Sequence, residues 1–276
     1  MSYANLMVHL EIGRSNVDLL QVAGDLAKRF QARVVGIGAC QPMQLVYNDG
    51  YIPERLVKED LDEIDKDIKL AEFEFRNALL GCATSLKWKS KVTFSPLADY
   101  IAQEARAADL IVTCASRYSD LLDQSRHVPI GDLAMQAGRP LLVVPAMANR
   151  IGSDRVLVCW KDTRETRRAV ADALPFLKAA KHVTVVEIAD DEGESEARRH
   201  IEEVVAWLAG HGVVAHGTVA GSTGNDAAKL AAIAGEQAAD LIVAGAYGHS
   251  RVREWALGGV TRDLLLRADR CTLISH

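Results

Sequence analysis

Short, continuous apolar runs recur along the chain, and amphipathic segments with a three-to-four spacing separate them. These runs are rich in Val, Ile, Leu and Cys and do not alternate with polar residues. This pattern is typical of strands buried on both faces of a parallel sheet. In the C-terminal half the predicted strands lie near residues 154–160, 182–188, 213–219, 240–245 and 271–275.

The segment after the first of these runs predicts an amphipathic helix. Val170, Leu174 and Leu177 line one face of it, because residues three and four apart share a stripe of a helix. Asp162 and Glu165 form a predicted capping pair at its start. A regular alternation of strand and helix implies right-handed crossovers and a doubly wound α/β sheet.

Two pairs of segments show that the chain repeats itself. Leu6–Glu11 resembles Val156–Lys161, since each is a short apolar strand followed by a polar turn and an amphipathic helix. Ala108–Val112 matches Ala239–Val243 letter for letter, and a terminal apolar run follows each of them. Gene duplication explains this self-similarity better than coincidence does.

The repeat predicts two domains of one fold, residues 1–147 and residues 152–276, on a short link. A chain of 276 residues is comfortable for two such units. Two related copies held so close are expected to pack as a pseudo-symmetric pair, an intramolecular counterpart of a dimer. In the first copy a longer connecting segment covers residues 54–85. Its charged stretch, Lys58–Lys69, predicts a solvated helix face.

The composition of the chain limits the classes of partner that it is expected to bind. Apolar residues make up 49% and charged residues 25%, with a formal net charge of −5, and the Lys and Arg residues are scattered. Nucleic acid is therefore not an expected partner, because it demands a basic stripe. No apolar run approaches the roughly 18 residues of a membrane span, and Met1–Glu11 lacks the features of a signal peptide. The five cysteines occur singly, which favours reduced thiols in a cytoplasmic protein over disulfides or a metal site.

A glycine-containing segment follows the fourth strand of the second copy. Gly245–Ser250 comes directly after the strand, and Gly258–Thr261 opens the next helix. Glycine lets the backbone turn sharply and approach an oxyanion closely, while a helix start offers N–H groups and a positive dipole end. Ligands of open α/β sheets bind beyond the carboxyl ends of the strands. The segment therefore predicts a phosphate site, with plain turn glycines as the alternative.

Other polar residues near this edge allow two interpretations each. Trp160 is as consistent with core packing as with a platform for adenine. Lys161 is as consistent with a solvated position at the end of a strand as with a phosphate contact. His249 as a general base is a minor hypothesis, because no orienting partner is visible. His9, inside an apolar strand, is interpreted as a core histidine. Gly221–Asp226 predicts a turn and a helix cap rather than a second phosphate loop.

With these residues, the sequence resembles the universal stress protein family. Its signature is Gly-x-x-Gly, nine residues, then Gly followed by Ser or Thr, and Gly245, Gly248 and Gly258 match it. The resemblance covers nearly the whole chain, as a tandem member. It implies an α/β fold of two tandem doubly wound five-stranded parallel-sheet domains, adenine nucleotide alpha hydrolase-like, with strand order 3-2-1-4-5. In family members that bind ATP, this loop holds the ribose and phosphates.

The chain departs from the family pattern in both halves. Gly259 stands where the family has Ser or Thr, so a hydroxyl group is missing there. Thr261, two residues later at the same predicted helix start, offers a hydroxyl instead. Lys161 stands where an acidic residue is usual, and because a lysine cannot ligate Mg²⁺, a magnesium site is doubtful. The first copy keeps Glu11, but its loop has become Cys114–Tyr118.

In the first copy only Gly131 matches the family glycines. Asp132 follows it, and a carboxylate at a helix start would repel phosphate. The first site is therefore expected to be closed to nucleotides.

The resemblance implies a stress-response protein that binds ATP or another adenine nucleotide in its second domain as a regulatory ligand. An interaction protein without a nucleotide is the alternative, and a slow ATPase ranks last because no acid–base pair, nucleophile or metal cluster accompanies the loop. Dimerisation of whole chains stays open. The residues predicted to contact the nucleotide are Cys159, Trp160, Lys161, Ile188, Gly245, Tyr247, Gly248, Gly258, Gly259, Val260 and Thr261.

Overall fold

A computed structural model of the chain describes residues 2–42, 54–115, 126–146, 148, 150–246 and 270–276. These residues form ten strands in one sheet. The strands are β1 (Asn5–Leu10), β2 (Arg33–Cys40), β3 (Ser85–Val92), β4 (Leu110–Cys114), β5 (Leu141–Val144), β6 (Arg155–Trp160), β7 (His182–Ala189), β8 (Ala215–Gly221), β9 (Leu241–Gly245) and β10 (Cys271–Ser275).

The strand order is β3-β2-β1-β4-β5-β10-β9-β6-β7-β8. Each half therefore has the order 3-2-1-4-5, and the two halves meet edge to edge. All pairs within a half are parallel, whereas β5 and β10 pair antiparallel. The predicted α/β fold and strand order are confirmed, and each of the five strands predicted in the second half begins within two residues of its expected position.

Helices cover both faces of the sheet in the described residues. They are α1 (Val17–Phe30), α2 (Glu54–Leu79), α3 (Leu97–Glu104), α4 (Ile130–Ala137), α5 (Arg164–Asp172), α6 (Leu174–Leu177), α7 (Glu194–Gly210) and α8 (Asp226–Glu236). Helices α1, α2, α5, α6 and α7 bury their apolar stripes on one face, in a core that runs through both halves. Helices α3 and α4 pack on the opposite face of the first half, and α8 does so in the second.

Two details of the predicted first helix of the second half are wrong. The helix is capped by Thr163, whose side-chain oxygen accepts the N–H of Thr166, while Asp162 instead forms an ion pair with Arg167 at 2.6 Å. The stripe through Val170 continues into α6 rather than along one helix. Pro175 lies in α6, and a proline cannot donate to the preceding turn, so it interrupts a helix.

The two halves use equivalent pairing registers. Met7 pairs with Ile111 in the first half, as Leu157 pairs with Ile242 in the second. This equivalence supports the duplication inferred from the sequence. The predicted boundary, residues 147 to 152, lies between β5 and β6, and the exact domain limits stay a prediction.

The aspartate of the duplicated Ala-Asp-Leu-Ile-Val segment has the same task in both halves. The Asp109 carboxylate accepts the backbone N–H of Asn5 at 2.8 Å. Asp240 accepts the N–H groups of Asp154 and Arg155, both at 3.1 Å. Each aspartate thus fixes the beginning of the first strand of its half, which explains why an aspartate occurs at this position in both copies.

Replacing Asp240 by Ala is expected to lower the free energy of unfolding by about 1–3 kcal/mol, because two N–H groups at the start of β6 lose their acceptor. Urea unfolding followed by circular dichroism measures this change. Asp240→Asn is the matched control, since it keeps one acceptor oxygen and is expected to cost less than the alanine variant. Equal losses in both variants would contradict this role of the carboxylate.

Candidate functional site

The carboxyl ends of β6, β7 and β9 meet at one edge of the second half. Trp160 lies opposite Glu187, and Cys159 lies opposite Ala244. In the order 3-2-1-4-5, the first and fourth strands are neighbours whose crossovers leave in opposite directions, and open α/β sheets bind ligands at this switch point. Of the predicted site residues, the structure brings Cys159, Trp160, Lys161, Ile188 and Gly245 to this edge.

These residues do not all face the same way. Cys159 packs with the core under α8, and Ile188 lies against the same core. Trp160 belongs to the core on the α5 and α7 side and is only 8% exposed. The structure therefore favours the interpretation of Trp160 as a packing residue and separates it from Cys159 and Ile188. Burial raises the pKa of the Cys159 thiol to about 12, so this thiol is not reactive near neutral pH.

Gly245 is explained by a close approach of α5. A Cβ atom at this position would lie 2.5 Å from the backbone nitrogen of Thr166 and 2.9 Å from the backbone carbon of Glu165. Contacts of this length with backbone atoms leave no room for any side chain. The start of α5 therefore lies directly on the residue that begins the glycine segment.

Both peptide groups of Ala246 are held by the last strand and the residue after it. The Ala246 N–H donates to the Ser275 carbonyl at 2.8 Å, and the Ala246 carbonyl accepts from Nδ1 of His276 at 3.0 Å. The backbone that enters the glycine segment is thus fixed from both sides. The rest of the predicted site, namely Tyr247, Gly248, Gly258, Gly259, Val260 and Thr261, lies outside the described residues, as does His249.

Sequence reasoning missed a buried pair at the same edge. Glu187 lies near the end of β7 with an exposure of 8%, and its Oε2 lies 3.5 Å from Nδ1 of His200 on α7. Burial raises the pKa of Glu187, and the interaction with the neighbouring His200 opposes this rise. Within the described part of the chain, neither of these two atoms nor Trp160 Nε1 has a hydrogen-bond partner. A charged residue inside the apolar run from Val183 to Ile188 was the signal that could have revealed the pair.

The equivalent position in the first half carries different chemistry. By register, His9 corresponds to Cys159 and Cys114 to Gly245, and Glu11 takes the place of Lys161. Ile111 pairs with Leu141 in the first half, and Ile242 pairs with Thr272 in the second. The number of residues between the two paired positions is therefore the same in both halves. Counting along this interval places His127, rather than Gly131, at the sequence position of Gly258.

Charged and polar side chains contact one another at the first-half edge. His127 Nδ1 lies 3.8 Å from the Glu11 carboxylate. Arg126 forms an ion pair with Asp67 of α2 at 2.6 Å. A Cβ atom on Gly13 would lie only 2.5 Å from a guanidinium nitrogen of Arg126. Side chains of the protein therefore lie over the loop after β1. That this half is closed to nucleotides stays a prediction.

His9 is a core residue, as its sequence context indicated. Its Nδ1 lies 3.0 Å from Oγ1 of Thr113, while its Nε2 has no hydrogen-bond partner among the described residues. Burial lowers the pKa of His9 from 6.5 to about 4, against the opposing effect of Glu11. The imidazole is therefore neutral in the folded protein at neutral pH.

This histidine makes stability depend on pH. Because its pKa is lower in the folded than in the unfolded chain, its contribution is complete above about pH 6.5 and declines as the pH falls toward 4. Between pH 7 and pH 5 the loss is about 2 kcal/mol. Urea unfolding of the unmodified protein and of His9→Gln over this range measures the difference, and parallel pH profiles of the two proteins would refute it.

A comparison with protein families found a match for the second half. The model of the universal stress protein family matches residues 152–276. Residues 152–276 are therefore similar to universal stress protein domains. The matched range contains the switch-point edge described above. No curated protein sequence matches the chain.

Solved structures show the fold over the whole chain. A universal stress protein from Archaeoglobus fulgidus DSM 4304 is 16% identical, with a TM-score of 0.70, and the likeness covers 100% of this chain and 99% of that one. A functionally unknown protein from Pseudomonas aeruginosa PAO1 is 15% identical, with a TM-score of 0.61, over 99% of this chain and 92% of that one. At these identities the comparison establishes the α/β fold and nothing finer.

Two further features bear on the kind of protein. Among the helices in the described residues, none combines the length and the apolar character that crossing a membrane requires. The same part of the chain contains no group of three or more His, Cys, Asp or Glu residues placed to hold a metal ion.

Proposed function

We propose that the universal stress protein domain of residues 152–276 binds ATP or another adenine nucleotide as a regulatory ligand, in a cytoplasmic stress-response protein. The observation that carries this proposal is the position of Gly245. It ends β9 beside the end of β6, at the switch point of the sheet. The glycine segment of the sequence starts there, and its first peptide groups are held in place by β10.

The proposal assigns a role to each group at this edge. The amides of Gly245, Gly248, Gly258 and Gly259 would face the phosphates, with the Thr261 hydroxyl beside them. Cys159 and Ile188 share the face under α8 and would contact the base. Lys161 follows β6 directly and would meet a phosphate as a point charge. Since a lysine is no ligand for Mg²⁺, we expect EDTA to leave nucleotide binding unchanged.

An interaction protein without a nucleotide is the second candidate. A specific observation favours it, because the contact between Gly245 and the start of α5 explains this glycine without any ligand. Gly259 and Lys161 also depart from the family pattern. On this alternative, the duplicated sheet would present a surface to another protein, and ATP would have no effect on stability.

Thermal unfolding with and without ATP separates the two candidates. A ligand at one hundred times its dissociation constant stabilises the folded state by about 2.7 kcal/mol, which corresponds to a rise in melting temperature of roughly 5–10 °C for a protein of this size. We expect Gly248→Val to abolish this rise and Gly131→Val to leave it intact. An unchanged melting curve at millimolar ATP would favour the interaction protein, and equal losses in both variants would contradict the assignment of nucleotide binding to the glycine segment of the second half.

A further inference from the structure

A chain of three hydrogen bonds leads from the glycine segment to the first half of the protein. The Ala246 N–H donates to the carbonyl of Ser275 at 2.8 Å. The Ser275 hydroxyl donates to Oδ2 of Asp172 at 2.8 Å. The Tyr3 hydroxyl donates to the backbone carbonyl of Asp172. Asp172 therefore contacts both the strand that holds the glycine segment and a residue of the other half.

The members of this chain are shielded from water. Ser275 is 3% exposed and Tyr3 is 4% exposed, and Asp172 is half-buried at the end of α5. Burial raises the pKa of the Asp172 carboxyl, opposed by the hydrogen bond from Ser275. Hydrogen bonds in such surroundings are costly to leave unmade, so each of them constrains the groups that it joins.

Asp172 also lies at the far end of the helix that touches the site. Helix α5 begins against Gly245 and ends at Asp172. Ser275 pairs in register with Gly245, on the strand that joins the antiparallel seam with β5. Two short connections, one through α5 and one through Ser275, thus lead from Asp172 to the first residues of the glycine segment.

We infer that Asp172 is a positioning residue for the second-half site, which holds the start of the glycine segment through Ser275 and anchors it to the first half through Tyr3. This inference rests on the proposed function, because it assigns the first half a supporting role in nucleotide binding. The segment positioned in this way is the one that would contact phosphates. Losing the side-chain acceptor of Asp172 for the Ser275 hydroxyl should therefore weaken ATP binding more than adenosine binding.

The test compares Asp172→Ala with Asp172→Asn in the full chain. The asparagine variant keeps an acceptor oxygen for the Ser275 hydroxyl, whereas the alanine variant does not. By titration calorimetry, we expect Asp172→Ala to weaken ATP binding about fivefold, as the loss of one hydrogen bond implies. Adenosine binding should change less than twofold, and Asp172→Asn should retain the ATP affinity of the unmodified protein within about twofold.

The outcomes distinguish this inference from the proposed function. The inference is overturned, and the proposed function stands, if the unmodified protein binds ATP and Asp172→Ala weakens the binding of ATP and of adenosine equally. The same conclusion follows if this variant changes neither affinity. If the unmodified protein binds no ATP, both fail. Should Asp172→Ala not fold, Tyr3→Phe removes only the hydroxyl that contacts Asp172. A selective loss of ATP affinity of about twofold or more in that variant would support the inference, and unchanged affinity would overturn it.

Discussion

Replacing Phe176 by Ala lowers the free energy of unfolding by about 3–5 kcal/mol, because a large ring is removed from a packed core and leaves a cavity. Phe176 has no exposed surface. Its ring centroid lies 5.5 Å from that of Tyr3 and 5.6 Å from that of Phe30, and Arg29 lies over its ring at 5.5 Å. Since the other three residues belong to the first half, this ring is central to the seam between the halves. Urea unfolding measures the loss.

The control for this prediction is Phe73→Ala on α2. Phe73 is 64% exposed, so its removal creates no cavity and should change stability by no more than about 0.5 kcal/mol. The same substitution at two positions thus separates burial at the seam from the loss of a phenyl ring itself. A similar cost at both positions would show that the seam does not have the packing described here.

Replacing Gly245 by Ala is expected to cost about 3 kcal/mol of stability, at the upper end of the cost of overpacking, and to abolish the effect of ATP. The added methyl group would lie 2.5 Å from the Thr166 nitrogen, so the start of α5 or the end of β9 must move. Either movement displaces the beginning of the glycine segment. Urea unfolding and thermal unfolding with ATP measure the two effects.

Gly235→Ala provides the matched control for this change. Gly235 lies in α8, where an added Cβ would meet no atom within 4 Å, so alanine should stabilise the helix by up to about 1 kcal/mol. The nucleotide effect should remain intact. If Gly245→Ala were as stable as the unmodified protein, the close packing of α5 against β9 would be refuted.

The sequence predicted the fold closely because the strands are buried on both faces. Runs such as Val156–Cys159 are continuously apolar. The segment around Asp240 recurs unchanged in the first copy, so it identified the same strand in both copies. The repeat could not show which sheet edges meet. The pairing of β5 with β10 is accompanied by the packing of Tyr3, Phe30 and Phe176 between the halves, and no local pattern encodes contacts between residues so distant in the sequence.

The site was predicted less completely than the fold. The switch point follows from strand order, so Lys161 and Gly245 could be placed there from the sequence. The facing direction of Trp160 depends on the strand's pleat, and the pairing of Glu187 with His200 depends on how α7 lies on β7. The reason for Gly245 was also hidden, because the approach of α5 is a tertiary contact. The contacts of the other predicted loop residues with a nucleotide stay predictions.

The most direct test of nucleotide binding by the second half is the stoichiometry of ATP binding to the full chain, measured by isothermal titration calorimetry. We predict one ATP for each chain, since the edge of the first half is occupied by Arg126 and its ion pair with Asp67. No binding heat at millimolar ATP, or two ATP molecules for each chain, would contradict this account.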